Sequence, residues 1–385
     1  MKRANKIYLD YNSTTPVDPR VLEEMLPYFN ERFGNASSVS HMFGWEAEEA
    51  VNLAREQVAG LIGASAGEIT FTSGATEAVN LIIRGMFMAN DDTRRHIITC
   101  ATEHKAVLDT CKFVEQSGGT VTYLPVDKSG SIDLKKLENA ITDHTILVCL
   151  MHANNEIGTI HPLKEIARIT REKSIPLLSD ATQSVGKIPV DVNELGVDMI
   201  TFSSHKLYGP KGAGALYISK KNKPGITPIL TGGGQEKGMR PGTMNVPAIV
   251  GFGKACEICS KEMKDETNRL SPLRDQMESE LSDWDSVQIN GNLRNRLPYM
   301  TNLTFQNIDS SHLLLRLRNL AVSQGSACTS ATQKPSHVLE AIGLPDDRAL
   351  SSIRVGLGRF TTEEEIEAAI REMKDVIPQL KPLTQ

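Results

Sequence analysis

Long apolar runs are missing from this chain. Apolar residues make up 40% of its 385 residues, yet no unbroken apolar stretch reaches the ~18 residues a membrane-spanning helix needs. The amino terminus, Met1-Lys2-Arg3-Ala4-Asn5-Lys6, is basic but has no apolar segment behind it, so it does not read as a secretory signal. A basic excess is missing too. There are 42 Lys and Arg against 47 Asp and Glu, a net charge of −5, and no Lys/Arg stripe to meet a phosphate backbone. These absences argue against a membrane partner and a nucleic-acid partner, and leave a soluble cytosolic (cytoplasmic) protein as the expectation.

Cysteine is sparse. Six residues (Cys100, Cys111, Cys149, Cys256, Cys259, Cys328) are scattered over the chain, which is no disulfide framework. Cys100 and Cys149 lie in apolar, strand-like runs and read as small core residues. Cys256 and Cys259 form a C-x-x-C in a helical pattern with no second ligand pair at matching spacing, so no metal site is expected. Cys328 differs: Gly325, Ser326, Ala327, Thr329 and Ser330 around it are small and mostly polar. An exposed loop thiol of this kind is a liability unless it reacts.

The length is too great for one core and comfortable for two domains. From about residue 68, short apolar runs alternate with helical periodicity. The strands expected are 68–72, 96–100, 120–126, 145–151, 175–180, 198–203 and 214–219, with helices over 77–89, 104–116, 134–141 and 163–173. Such alternation predicts an α/β fold with a largely parallel sheet covered on both faces. The short turn between the last two strands predicts an antiparallel edge there. A Gly/Pro-rich stretch over 223–242 breaks the rhythm, followed by a long helix over 247–281. A smaller α+β unit is then expected, with strands at 300–305 and 321–323. Thr361-Thr362-Glu363-Glu364-Glu365 reads as the capped start of a final helix.

The most informative feature is a pair of strand ends. Val197–Phe202 is apolar and runs into Ser203-Ser204-His205-Lys206, followed by the turn Tyr208-Gly209-Pro210-Lys211-Gly212-Ala213-Gly214. The preceding strand, Ile175-Pro176-Leu177-Leu178-Ser179, ends on Asp180. Open α/β sheets bind ligands at the carboxyl ends of their strands. Pyridoxal phosphate requires one amine for a Schiff base and one carboxylate to keep its ring nitrogen protonated. Taken singly, Lys206 and Asp180 would be surface charges. Other strand ends add to them. Phe71-Thr72-Ser73-Gly74-Ala75-Thr76-Glu77 opens a helix and reads as an ordinary βα turn alone, but as a phosphate cradle beside a Schiff-base candidate. Thr102-Glu103-His104-Lys105 brings a histidine that can stack on a ring and exchange protons, or simply start a helix. Asn154-Asn155-Glu156 brings polar groups to one further end, and Ala181-Thr182-Gln183 adds them to the end that carries Asp180.

With these residues in view, the chain resembles the NifS/IscS-type cysteine desulfurases, in the class-V aminotransferase group of fold-type I pyridoxal phosphate enzymes. The matching segments run from Tyr8-Leu9-Asp10-Tyr11-Asn12 and Gly34-Asn35 through the four strand ends above. They continue through Ser204-His205-Lys206, Gly232-Gly233-Gly234-Gln235-Glu236 and Gly325-Ser326-Ala327-Cys328-Thr329-Ser330 to Ile353-Arg354. The resemblance implies a large cofactor-binding domain at 16–255 and a smaller C-terminal domain at 256–385. It also implies an arm at 1–15 packed on the small domain, and a mobile cysteine loop at about 324–335. It makes Lys206 the Schiff-base lysine, Asp180 the partner of the pyridine nitrogen, His104 the residue stacked on the ring and Gln183 the partner of the phenolic oxygen. Thr76, Ser203 and His205 are implied as phosphate ligands, with Thr243 donated by the second subunit of a homodimer, and Ala75 is implied as a further cofactor-binding residue. Asn155 and Arg354 are implied to hold the substrate carboxylate, a bidentate task that suits a guanidinium. Cys328 is implied as the nucleophile that takes sulfur from L-cysteine and passes it to an acceptor such as an Fe–S scaffold protein. A class-V aminotransferase, a selenocysteine lyase and a non-catalytic sulfur relay are the alternatives on the same fold. One departure is Pro241 after Arg240, where the family usually has a small residue; it stiffens the approach to Thr243.

Overall fold

A computed structural model describes residues 6–91, 94–222, 224–282, 287–306, 308, 314–325 and 334–380. Seven strands form the main sheet: β2 (Ile69–Thr72), β3 (His96–Cys100), β4 (Thr120–Leu124), β5 (Thr145–Cys149), β6 (Leu177–Asp180), β7 (Met199–Ser203) and β8 (Gly214–Ile218). Their order is β2-β8-β7-β6-β5-β3-β4. Neighbours from β4 to β7 are parallel, while β8 runs antiparallel to both β7 and β2. The expected reversal is therefore present, but it falls one strand inside the sheet, because β2 covers β8 and forms the edge.

Both faces of the sheet are covered. β3, β5, β7 and β8 are buried along their full lengths, and alternate residues feed two cores. Ile98, Val148, Ile200 and Phe202 pack with Ala47, Ala54 and Val58 of the helix Met42–Leu61. Ile97, Leu147, Cys149 and Met199 pack with Val79, Ile82 and Met86 of the helix Ala75–Ala89 and Val107 of Lys105–Gln116. Cys100, Cys111 and Cys149 are core residues, and burial pushes their thiols up.

The helix Val246–Ser282 is continuous, so residue 255 lies inside it. Its first half, through Cys259, packs in the main core; from Leu270 it packs in a separate one. That second core lies under an antiparallel sheet of β9 (Val287–Ile289), β10 (Met300–Phe305) and β12 (Ser352–Gly356), together with the helix Glu363–Val376. The final helix starts in a capping box between Thr362 and Glu365, as its sequence indicates.

The amino-terminal arm links the two units. Its strand β1 (Ile7–Tyr8) runs parallel to β11 (Leu320–Ala321), and Asp10 bridges to Gly356 at the end of β12. A Cβ on Gly356 would come 2.0 Å from Asn12 Oδ1, so only glycine lets the arm lie this close. Farther along, Thr15 ties to the main sheet through His205 O, at 3.0 Å from both its N and its Oγ1.

Candidate active site

The carboxyl ends of β3, β5, β6 and β7 open into one cavity of about 240 Å³. Ala75, Thr76, His104, Asn155, Asp180, Gln183, Ser203, His205, Lys206 and Arg354 all line it. Ten of the twelve residues singled out from sequence are thus brought together. Thr243 is exposed and outside this lining, and Cys328, in the expected loop, lies outside the described residues.

Lys206 ends the short turn after β7. Its Nζ donates to Asn12 O at 2.5 Å and Ser13 O at 2.6 Å, so the arm sets where the amine points. The backbone beyond it is strained: Tyr208 has φ +66°, a left-handed conformation costing a bulky residue roughly 1–2 kcal/mol. The arm holds that residue in place, because Tyr208 N donates to Thr15 Oγ1 at 2.9 Å and Tyr208 O accepts from Asp18 N at 2.9 Å.

Asp180 is the last residue of β6 and is 7% exposed. Its Oδ1 accepts from Thr182 N at 2.9 Å. His104 caps the helix Lys105–Gln116, and its Nδ1 accepts from Ala106 N at 3.1 Å. A backbone N–H only donates, so the neutral ring carries its proton on Nε2. Burial pushes this imidazole below its ordinary range, against the pull of Asp180. Gln183 Nε2 donates to Asn12 O at 2.9 Å.

At one end of the cavity the helix Ala75–Ala89 begins with no side-chain cap. Ala75 N donates to Ser203 Oγ at 2.8 Å, and His205 Nδ1 lies 3.1 Å from Thr14 Oγ1. Burial pushes His205 down to about 4, with Lys206 adding to the effect. The two backbones meet closely here, since a Cβ on Gly214 would come 2.5 Å from Gly74 Cα. A helix amino terminus, small residues and hydroxyls make an anion cradle. Arg354, also on the cavity lining, is 1% exposed. Its guanidinium donates to Asn155 O (2.9 Å), Asp10 Oδ1 (2.8 Å) and Ser13 Oγ (2.7 Å).

Several buried polar atoms around this cavity have no partner among the described residues: Asn12 Oδ1, Thr182 Oγ1 and Arg354 Nε. Unsatisfied groups of this kind are costly unless a ligand completes them. Together with the anion cradle, an amine and a carboxylate on neighbouring strands, they fit pyridoxal phosphate. Asn12, Ser13 and Thr182 were not singled out as site residues from sequence. Asn12 lies in a matching segment, but three of the contacts here use main-chain oxygens of Asn12 and Ser13, which no side-chain pattern reveals.

A cofactor amine and carboxylate at adjacent ends of a mainly parallel sheet, with a smaller α+β unit closing the cavity, define the class: fold-type I pyridoxal phosphate enzymes. The comparisons narrow it. Residues 7–369 match the aminotransferase class-V family. A cysteine desulfurase IscS of Rickettsia typhi is 50% identical over 98% of this chain and 92% of its own length. A NifS-like protein of known structure superposes with a TM-score of 0.90 at 39% identity, covering 97% of this chain and all of that one. A structure described as SspA in complex with cysteine gives 0.83 at 39% identity, covering 92% of this chain and all of that one. The chain belongs to the aminotransferase class-V family, among its NifS/IscS-type members, and is a pyridoxal phosphate-dependent enzyme.

Proposed function

We propose that the protein is a cysteine desulfurase: L-cysteine and the Cys328 thiol give L-alanine and a persulfide on Cys328, which then passes to an acceptor protein such as an Fe–S scaffold. The observation that carries this reading is the arrangement of the cavity. Lys206, Asp180, His104 and Gln183 share the cavity with an anion cradle lined by Ala75, Thr76, Ser203 and His205, and Arg354 and Asn155 line the same cavity. When bound, pyridoxal phosphate supplies an electron sink for bonds at the substrate's α-carbon. With the cofactor in place, Asp180 would hold the proton on the ring nitrogen, His104 would present a neutral ring face and Gln183 would donate to the phenolic oxygen. Lys206 Nζ would serve as the base that takes the substrate's α-proton. Arg354 and Asn155 orient the carboxylate. The Cys328 thiolate attacks the substrate sulfur; the carbon–sulfur bond breaks as the sulfur–sulfur bond forms.

The reading includes a homodimer. Leu26, Phe29, Phe33, Met42, Phe43 and Trp45 are exposed in the segment 26–45, apolar side chains of the kind that mark an interface. Thr243, exposed and away from its own cavity, is free to serve the partner's. The division into an arm (1–15), a large domain (16–255) and a small domain (256–385) belongs to the same proposal. No helix among the described residues is long and apolar enough to cross a membrane.

The test is a yellow purified protein that releases alanine from cysteine with no keto acid present. Cys328→Ser should keep the colour and lose alanine release. Alanine at the normal rate from that variant would show that another group takes the sulfur, and a strict need for a keto acid would favour an aminotransferase.

A further inference from the structure

Lys187 is a lysine that the reaction above does not use. It lies four residues after Gln183, in a narrow cavity lined by Tyr11, Tyr208, Glu266 and Tyr299. Its Nζ donates to Gln183 Oε1 at 3.3 Å and sits 4.6 Å from the centroid of the Tyr299 ring. Asn12 Nδ2 donates to the same Oε1, also at 3.3 Å. An ammonium has three donors and no acceptor, so it fixes which end of the Gln183 amide is oxygen. A carboxamide is otherwise nearly symmetric and turns over readily. With Oε1 held from two sides and Nε2 bonded to Asn12 O, one N–H of the amide remains for the cavity that Gln183 lines. The backbone is held as well, since Tyr299 donates its hydroxyl to Gln183 O at 2.8 Å.

We propose that Lys187 is a positioning residue: it locks the Gln183 amide with an N–H directed at the cofactor's phenolic oxygen and places a positive charge behind that contact. The proposal rests on the reading that Gln183 faces that oxygen. The charge is responsive. Burial pushes the Lys187 amine down to about 7, with Lys206 and Arg354 acting in the same direction and Cys259 and Glu266 opposing. A cation behind the phenolic oxygen favours its anionic form, so the electronic state of the bound cofactor becomes linked to the state of this amine.

The experiment reconstitutes apo protein with pyridoxal phosphate and reads two quantities: the pH midpoint of the visible band and the dissociation constant of the cofactor. Lys187→Met should raise the midpoint by on the order of one pH unit and weaken cofactor binding several-fold. Lys187→Arg should stay near wild type. Lys187→Gln, which keeps a donor and solubility if the methionine variant fails to fold, should move the midpoint while largely preserving affinity. In a Gln183→Ala background the affinity loss from Lys187→Met should vanish, because coupled residues are not additive. Unchanged midpoint and affinity in the folded neutral variants would overturn the proposal, as would an equal affinity loss in the Gln183→Ala background. A wild-type protein that forms no visible band would overturn the functional reading itself, and the proposal with it.

Discussion

Arg354 does two things with one side chain. It is proposed as the carboxylate anchor, but its guanidinium is already bonded to Asp10, Ser13 and the carbonyl of Asn155. The sequence alone implies only the anchor, from which Arg354→Ala would raise KM for cysteine and leave the cofactor untouched. The bonds found here add a cost. Removing a buried cation leaves the Asp10 carboxylate with only the Ser323 hydroxyl among the described residues, a loss of up to about 3–5 kcal/mol. The variant should therefore melt at lower temperature as well as raise KM, in calorimetry and steady-state assays respectively. Asp10→Asn should reproduce much of the melting effect with little change in KM. An unaltered KM in a folded Arg354→Ala protein would show that another cation meets the substrate. Lys206→Ala should abolish turnover and the visible absorbance of the bound cofactor, because no other lysine among the described residues lines this cavity. Near-normal turnover would sink the assignment of that lysine.

Elements explain what the sequence discloses and what it hides. The buried strands β3, β5 and β7 are short apolar runs, and each leads into a polar or reactive group, so both the sheet and its ligand-binding end are readable. The helix Met42–Leu61 is not readable in this way: its buried face is mostly Gly44, Ala47, Ala50 and Ala54, too small for a clear apolar stripe. β12 was missed because a buried arginine interrupts it, and β1 because two residues make no period. The arm's contribution to the site runs through carbonyl oxygens and through glycines that permit close approach, and neither leaves a side-chain signature. One such approach gives an element-level test. Gly214 lets β8 pass against the Gly74 turn, and Gly214→Ala would press its methyl into Gly74 Cα. Overpacking of this sort costs about 1–3 kcal/mol, and here the displaced backbone is the anion cradle. The variant should lower the melting temperature and weaken retention of pyridoxal phosphate on dialysis. Wild-type retention would mean that the cradle tolerates the shift.

At the scale of the whole molecule, the segment carrying Thr243 is fixed before any partner arrives. Glu236 Oε1 pairs with Arg55 at 2.7 Å while its Oε2 accepts from Phe71 N at 2.8 Å. Arg240 pairs with Glu77 at 2.8 Å, and Glu77 also accepts from Ser73 N at 2.9 Å. Both carboxylates thus join the Gly-rich segment to the residues around the protein's own anion cradle, yet Thr243 itself faces outward. If Thr243 completes the cradle of the second subunit, the two sites of a dimer exchange one ligand each, and two defective chains can repair one another. A Thr243→Ala dimer should bind the cofactor weakly at both sites, and a Lys206→Ala dimer should be inactive at both. In a mixed dimer the Lys206→Ala chain still offers its threonine to the partner, whose lysine is intact, so one of the two sites has every residue. Unfolding and refolding the two variants together should restore alanine release well above that of either alone, and size-exclusion chromatography should give the mass of two chains. Activity in the mixture no higher than the Thr243→Ala protein supplies by itself would place Thr243 outside the partner's site, whatever the oligomeric state proves to be.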